Sequence, residues 1–215
     1  NRGDCYQPCR RRYTITERDR DCELELGEDL IMSPKDICTL PIIDRLIDAG
    51  IHSFKIEGRS RPPEYIKTVT ECYREAIDSV CEGIFSPEKA DRLTEKARSV
   101  YNRGFSTGFY LGKPGTADFC EQGGSASTKR KTAAGKVLNY YKKTKIAHAL
   151  IQSETINTED TIQIHGPTTG VKELTIKELR DQNDQTTTTI EKQTCTFPCP
   201  PTVRKNDTIY RITNR

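Results

Sequence analysis

The sequence predicts an α/β first half followed by a small all-β barrel. Three observations carry this. Helical and β-rich patterns alternate up to residue 112. A Gly-, Ser- and Thr-rich stretch without periodicity, KPGTADFCEQGGSASTKR, then fills residues 113–130. Beyond it lie short β-prone runs separated by turn residues. The expected organisation is an α/β domain over residues 1–112, a linker over 113–130 and a β-barrel over 131–215.

Within the first half, residues 29–33 form a short apolar run that ends in Ser-Pro. Residues 40–49 carry apolar side chains at helical spacing before Gly50, and residues 51–56 are β-rich. Strand, helix and strand together predict a parallel crossover. Pro62 and Pro63 open the clearest helix, with Tyr65, Ile66, Val69, Cys72, Tyr73, Ala76, Ile77 and Val80 on one face. Ser86-Pro87 opens another, with Leu93, Ala97, Val100 and Tyr101 inward. This alternation is too short to close a barrel by itself. The second half has predicted strands at residues 136–141, 146–151, 161–165, 172–176, 186–190 and 208–212, and no helix.

Composition narrows the function classes. A third of the residues are hydrophobic and 30% are charged, as in soluble cytoplasmic proteins. No apolar run approaches the roughly 18 residues of a membrane helix, and the N-terminus has no apolar signal core. A cytoplasmic protein without a membrane partner is therefore expected. The chain begins at Asn1 and its only methionine is Met32, so a piece of a longer protein is expected.

Nine cysteines, an odd number without an export signal, argue against a disulfide framework. Cys72 continues an apolar helix stripe and suits core packing. Cys5, Cys9 and Cys38 flank turns and strand ends, where metal or cluster ligation competes with simple burial. Cys195 and Cys199, in TCTFPCPP, are expected in a rim loop.

The net charge of +3 is unevenly divided. Residues 1–112 hold 18 Lys+Arg against 20 Asp+Glu, a net −2; residues 113–215 hold 16 against 11, a net +5. No acid falls between Glu121 and Glu154, whereas Lys129, Arg130, Lys131, Lys136, Lys142, Lys143 and Lys145 do. Tyr140 and Tyr141 adjoin the last of these lysines. Cations for phosphates beside aromatic faces for bases make Lys136, Tyr140, Tyr141, Lys142, Lys143 and Lys145 a candidate RNA surface. Solvated lysines around one inward and one outward tyrosine are the plainer alternative.

Three segments belong together: NRGDCYQPCRRRY at residues 1–13, MSPKDICTLPIIDRLIDAGIHSFKIEGRSRPPEYIKTVTECYREAID at 32–78, and NRGFSTGFYLG at 102–112. The chain resembles the collagenase-like peptidase family U-32 across essentially its whole length. Its tail, from GKVLNYYKKTKIAHALI to VRKNDTIYRI, resembles the extra C-terminal barrel of the longer members. That module is itself similar to the second domain of translational GTPases. The resemblance implies a TIM-like (β/α) barrel, of which this chain holds the terminal part.

What the resemblance implies about chemistry divides. The family name implies proteolysis. Better understood relatives hydroxylate RNA bases or quinone precursors without molecular oxygen, and in the tRNA branch prephenate supplies the hydroxyl for wobble uridine. The resemblance also implies a four-iron four-sulfur cluster. Cys5 matches the ligand after Asn-Arg-Gly, and Cys38 the one after Ser-Pro-Lys-Asp. Cys9 joins or replaces Cys5. The other two ligands belong to a CxxxxGxC motif outside these residues, which alone are expected to hold no cluster and to be inactive.

Glu57 and Arg59, in KIEGR, follow a predicted parallel strand, at the end where barrel enzymes place their chemistry. Gly58 allows a tight turn, and Arg59 offers a fork for a carboxylate of prephenate. A structural Glu–Arg pair is the alternative. The three histidines, His52, His148 and His165, sit in no HExxH, and no GxSxG occurs. The expected function is prephenate-dependent tRNA uridine 5-hydroxylation, with tRNA, or else ribosomal RNA, as partner. A collagenase-like peptidase and a non-catalytic RNA-binding module are the alternatives.

Overall fold

The computed structural model describes residues 6, 8–11, 13–16, 18–19, 23–25, 30–120 and 123–215. The chain is mixed α/β and divides into two compact units, Asn1–Thr128 and Lys129–Arg215. In the first unit β1 (Thr14–Thr16) pairs antiparallel with β2 (Glu23–Glu25). β3 (Leu30–Pro34) and β4 (Asp36–Ile37) are one extended stretch interrupted at Lys35. Three helices follow: α1 (Ile43–Asp48), α2 (Pro63–Cys81) and α3 (Pro87–Arg98). Then come β5 (Phe105–Ser106), which pairs parallel with β4, and β6 (Phe119–Cys120), which pairs antiparallel with β3.

Local chemistry sets the helix starts. Pro63 occupies the first turn of α2, where a missing N–H leaves nothing unpaired. Ser86 caps α3 by accepting the Lys89 amide at 3.2 Å, and Pro87 follows it. The inner faces meet in a core of Cys38, Leu40, Ile43, Cys72, Ala76, Leu93 and Ala97. Leu40, Ile43 and Leu93 are fully buried, each contributing on the order of 2 kcal/mol.

Two expectations are corrected in this unit. The helix expected over residues 40–49 is a 3-10 turn, Leu40–Ile42, followed by the six residues of α1. Pro41 lies inside that turn and has no amide hydrogen to donate. Residues 51–56, expected as the second strand of a crossover, form no ladder among the described residues. β-rich composition makes a strand only where a neighbour supplies hydrogen bonds, and the parallel partner of β4 is β5 instead.

The second unit begins with the longest strand, β7 (Lys129–Tyr141), which starts inside the expected linker. After it come β8 (Ile146–Ile151), β9 (Ile156–Asn157), β10 (Thr161–Gly166), β11 (Gly170–Thr175), β12 (Leu179–Arg180) and β13 (Thr186–Thr187). β14 (Thr189–Ile190), β15 (Thr194–Pro198) and β16 (Thr208–Asn214) complete the unit. Eight strands form one antiparallel sheet in the order β11-β10-β16-β7-β8-β15-β12-β13, and β9 pairs with β14. Side chains from strands along the whole sheet, including Val137, Ile151, Ile164, Leu179, Phe197 and Ile209, share a single core.

The sequence led us to expect a closed barrel; the ladder is instead open, for among the described residues no rungs join β11 to β13. Past Thr161 and Thr175 the β10–β11 pairing continues by one more rung, Ile176 donating to Asp160 at 3.0 Å and Glu159 to Ile176 at 2.7 Å. Where β7 crosses β8, a Cβ on Gly135 would lie 2.0 Å from the Leu150 carbonyl oxygen, so only glycine permits this approach.

Candidate functional site

The strongest polar constellation of the first unit centres on Asp36 of β4. Its Oδ1 accepts from Arg103 Nε at 2.8 Å, Arg103 Nη2 at 2.7 Å and Arg61 Nη2 at 2.8 Å. Its Oδ2 accepts the Arg103 amide at 3.0 Å. Arg61 also lies over two aromatic rings, 5.1 Å from the Tyr65 centroid and 4.7 Å from that of Tyr101. The three charged side chains are only 11% (Asp36), 14% (Arg61) and 24% (Arg103) exposed. Two guanidiniums on one carboxylate leave one positive charge in excess, which suits an anion. These residues were not singled out from the sequence. The Asp in SPKD and the Arg in NRGF were visible, but not that they meet.

The expected catalytic pair is placed differently. Glu57 and Arg59 are both exposed, and Glu57 Oε1 accepts the Arg59 backbone amide at 2.7 Å. This is a local turn made by the main chain of Arg59, and the segment follows residues 51–56, which carry no ladder. Arg61, two residues on, is the arginine held in a partly buried setting.

Of the expected cluster ligands, Cys5 lies outside the described residues, and Cys9 sits half-buried in a 3-10 turn, Pro8–Arg10. Cys38 is 5% exposed and packs in the helical core with Leu40 and Cys72, beside the Tyr73 hydroxyl. Burial pushes its thiol above the ordinary range. The same effect takes Cys72 to about 11 and Tyr73 to about 12. No three His, Cys, Asp or Glu side chains converge on a metal position among the described residues. Of the matched pair Cys5 and Cys38, Cys38 alone is described, and it is placed in the helical core.

In the second unit the expected RNA residues separate by direction. Tyr140 turns inward, its hydroxyl donating to the Cys199 carbonyl at 3.1 Å, and packs on the core. Tyr141 is 48% exposed, and Lys142, Lys143 and Lys145 are exposed in the β7–β8 turn. Lys145 closes that turn at φ 54°, and its carbonyl accepts the Cys199 amide at 2.7 Å. Lys136 is half-buried between Leu150 and Thr208. Cys195 is on β15 and not in a rim loop; burial takes it to about 12 and Cys199 to about 11.

A model of peptidase family U32 matches residues 1–119, which include the Asp36 constellation, Glu57, Arg59 and Cys38. The chain belongs to peptidase family U32. Its U32 relatives carry divergent names. A "Collagenase" of Porphyromonas gingivalis is 39% identical over the whole chain and 52% of the relative. "tRNA hydroxylation protein P1" of Bacillus subtilis is 32% identical over 85% of the chain and 44% of the relative. The "23S rRNA 5-hydroxycytidine C2501 synthase" of Escherichia coli is 42% identical over 38% of the chain and 12% of the relative. The chain spans about half the length of the curated U32 relatives it matches. No helix among the described residues is long and apolar enough to cross a membrane.

Proposed function

We propose that this U32 protein, in its full-length form, is an RNA-modifying enzyme that hydroxylates C5 of a tRNA uridine with prephenate as co-substrate. The observation that carries the reading is the hairpin of the second unit, where exposed Tyr141 stands beside Lys142, Lys143 and Lys145 with no acid from Glu121 to Glu154. Such a surface binds phosphates and stacks a base. It has an obvious use in RNA modification and none in general proteolysis. The name of the B. subtilis relative supports the same direction.

In this reading the first unit is the terminal part of a TIM-like barrel, and the second is a module akin to domain two of translational GTPases that docks RNA. The Asp36–Arg61–Arg103 constellation, with its surplus positive charge, recognises a carboxylate of prephenate, and Glu57 and Arg59 line the approach. The net change on the base is replacement of C5–H by C5–OH, a two-electron oxidation: prephenate gives up its ring hydroxyl, and its carbon skeleton takes the C5 hydrogen in exchange and is reduced as the base is oxidised. Incubating full-length protein with tRNA lacking the modification and with prephenate tests this. Nucleoside mass spectrometry should detect a uridine one oxygen heavier, and an Arg61→Ala variant should require more prephenate. Unchanged nucleosides under these conditions would sink the proposal.

The P. gingivalis relative's name supports a second reading, a collagenase-like peptidase. Cleavage of gelatin by the purified full-length protein, in the absence of any RNA product, would favour it.

A further inference from the structure

The five adjacent strands β10, β16, β7, β8 and β15 contain no aspartate or glutamate. All 11 acids of residues 113–215 lie elsewhere. One side of these strands is the core, built from residues such as Val137, Ile162, Ile164, Phe197 and Ile209. The other side is a continuous outer face whose cations line up along β7.

The register defines that face. Lys129 lies opposite Asn214, Lys131 opposite Ile212, and Lys136 opposite Thr208. Tyr210 occupies the middle, opposite Ala133 and Gln163. Lys131 Nζ stands 4.6 Å from the Tyr210 ring centroid, and the His165 ring 4.7 Å from it at an angle of 52°. His165 Nε2 and Gln163 Oε1 share a hydrogen bond at 3.0 Å, and Gln163 Nε2 donates to Glu173 at 2.7 Å. Glu173 belongs to β11, the next strand outward, so the acid-free face ends there. Arg211 turns to the rim and pairs with Asp160 at 2.9 Å.

We infer that this face is a track for the RNA sugar-phosphate backbone, running along β7 from Lys129 to the Lys142–Lys145 turn. Thirteen residues of extended strand reach about 40 Å, enough for several phosphates. Carboxylates would repel a polyanion and are missing from all five strands. The Lys131 ammonium is held over a tyrosine ring, so less of its freedom is lost when a phosphate arrives. The inference rests on the RNA reading above and adds to the hairpin the strand face that leads up to it.

Fluorescence anisotropy of tRNA binding to the full-length protein, titrated across salt, tests it. The face variant carries Lys129→Gln, Lys131→Gln and Lys136→Gln. A control variant with the same charge change carries Lys172→Gln, Lys177→Gln and Lys192→Gln. The face variant should bind about tenfold or more weakly near physiological salt, with a log K against log salt slope shallower by about 2. The control should stay close to the unaltered protein. Equal loss in both variants, or an unchanged slope in the face variant, overturns the track. Displacement of RNA by polyglutamate at equal charge overturns its assignment to RNA. A face variant that binds tRNA normally while hydroxylation persists removes the track alone. An unaltered protein that binds no tRNA removes the RNA reading and the track together.

Discussion

Arg103 grips Asp36 with both main chain and side chain: its amide reaches Oδ2 at 3.0 Å while Nε and Nη2 reach Oδ1 at 2.8 and 2.7 Å. Arg61 shares the same Oδ1. One carboxylate thereby ties β4 to the segments before α2 and before β5. Removing the partner of a largely buried charge costs about 3–5 kcal/mol. Asp36→Ala is expected to lower the urea unfolding free energy by about 3 kcal/mol. Arg61→Ala should cost less, because Arg103 still pairs Asp36. Equal stability of Asp36→Ala and the unaltered protein would show that this node does not hold the unit together.

Cys38→Ser puts a hydroxyl into an apolar core. It should lower stability by about 1–3 kcal/mol and leave the iron and acid-labile sulfide content of the full-length protein unchanged. Loss of iron with stability preserved would return Cys38 to a ligand set alongside Cys5.

Alkaline pH should destabilise the fold well before lysine titration. Burial raises Cys38 above the ordinary 9.0 and takes Cys72 and Cys199 to about 11 and Cys195 to about 12. These groups hold their protons in the folded chain and lose them first in the unfolded one, so the unfolded state binds fewer protons above pH 9. Stability is then full below that pH and falls from there up to the folded values. Melting temperatures measured from pH 8 to 11 should decline; a flat profile that ends in a late drop would contradict these burials.

The adjacent tyrosines should separate stability from binding. Tyr140→Phe removes the bond to the Cys199 carbonyl and should cost about 1 kcal/mol without affecting tRNA affinity. Tyr141→Ala should leave the melting temperature unchanged and weaken tRNA binding severalfold. The opposite assignment of effects would place the RNA contact elsewhere.

Legibility followed the range of each signal. The starts of α2 and α3 were readable from Pro62-Pro63 and Ser86-Pro87, because caps act within one turn. The start of β7 was not. Its first residues, KRKT, resemble a solvated linker, and they become strand only by pairing with Ile212, Thr213 and Asn214 of β16. β15 was hidden by its cysteine and its terminal Pro198, and residues 51–56 gave β composition without a partner. In the site, Glu57, Arg59 and the lysine hairpin were conspicuous motifs. The Asp36–Arg103 contact joins residues 67 positions apart, a pairing that spacing and periodicity do not encode.

Nucleoside mass spectrometry of total tRNA from cells lacking the gene, with and without complementation, tests whether the full-length protein hydroxylates RNA. 5-Hydroxyuridine and its derivatives should disappear and return with the unaltered gene, and return only weakly with Asp36→Ala or with a variant carrying Lys142→Glu, Lys143→Glu and Lys145→Glu. Identical nucleosides with and without the gene would contradict it.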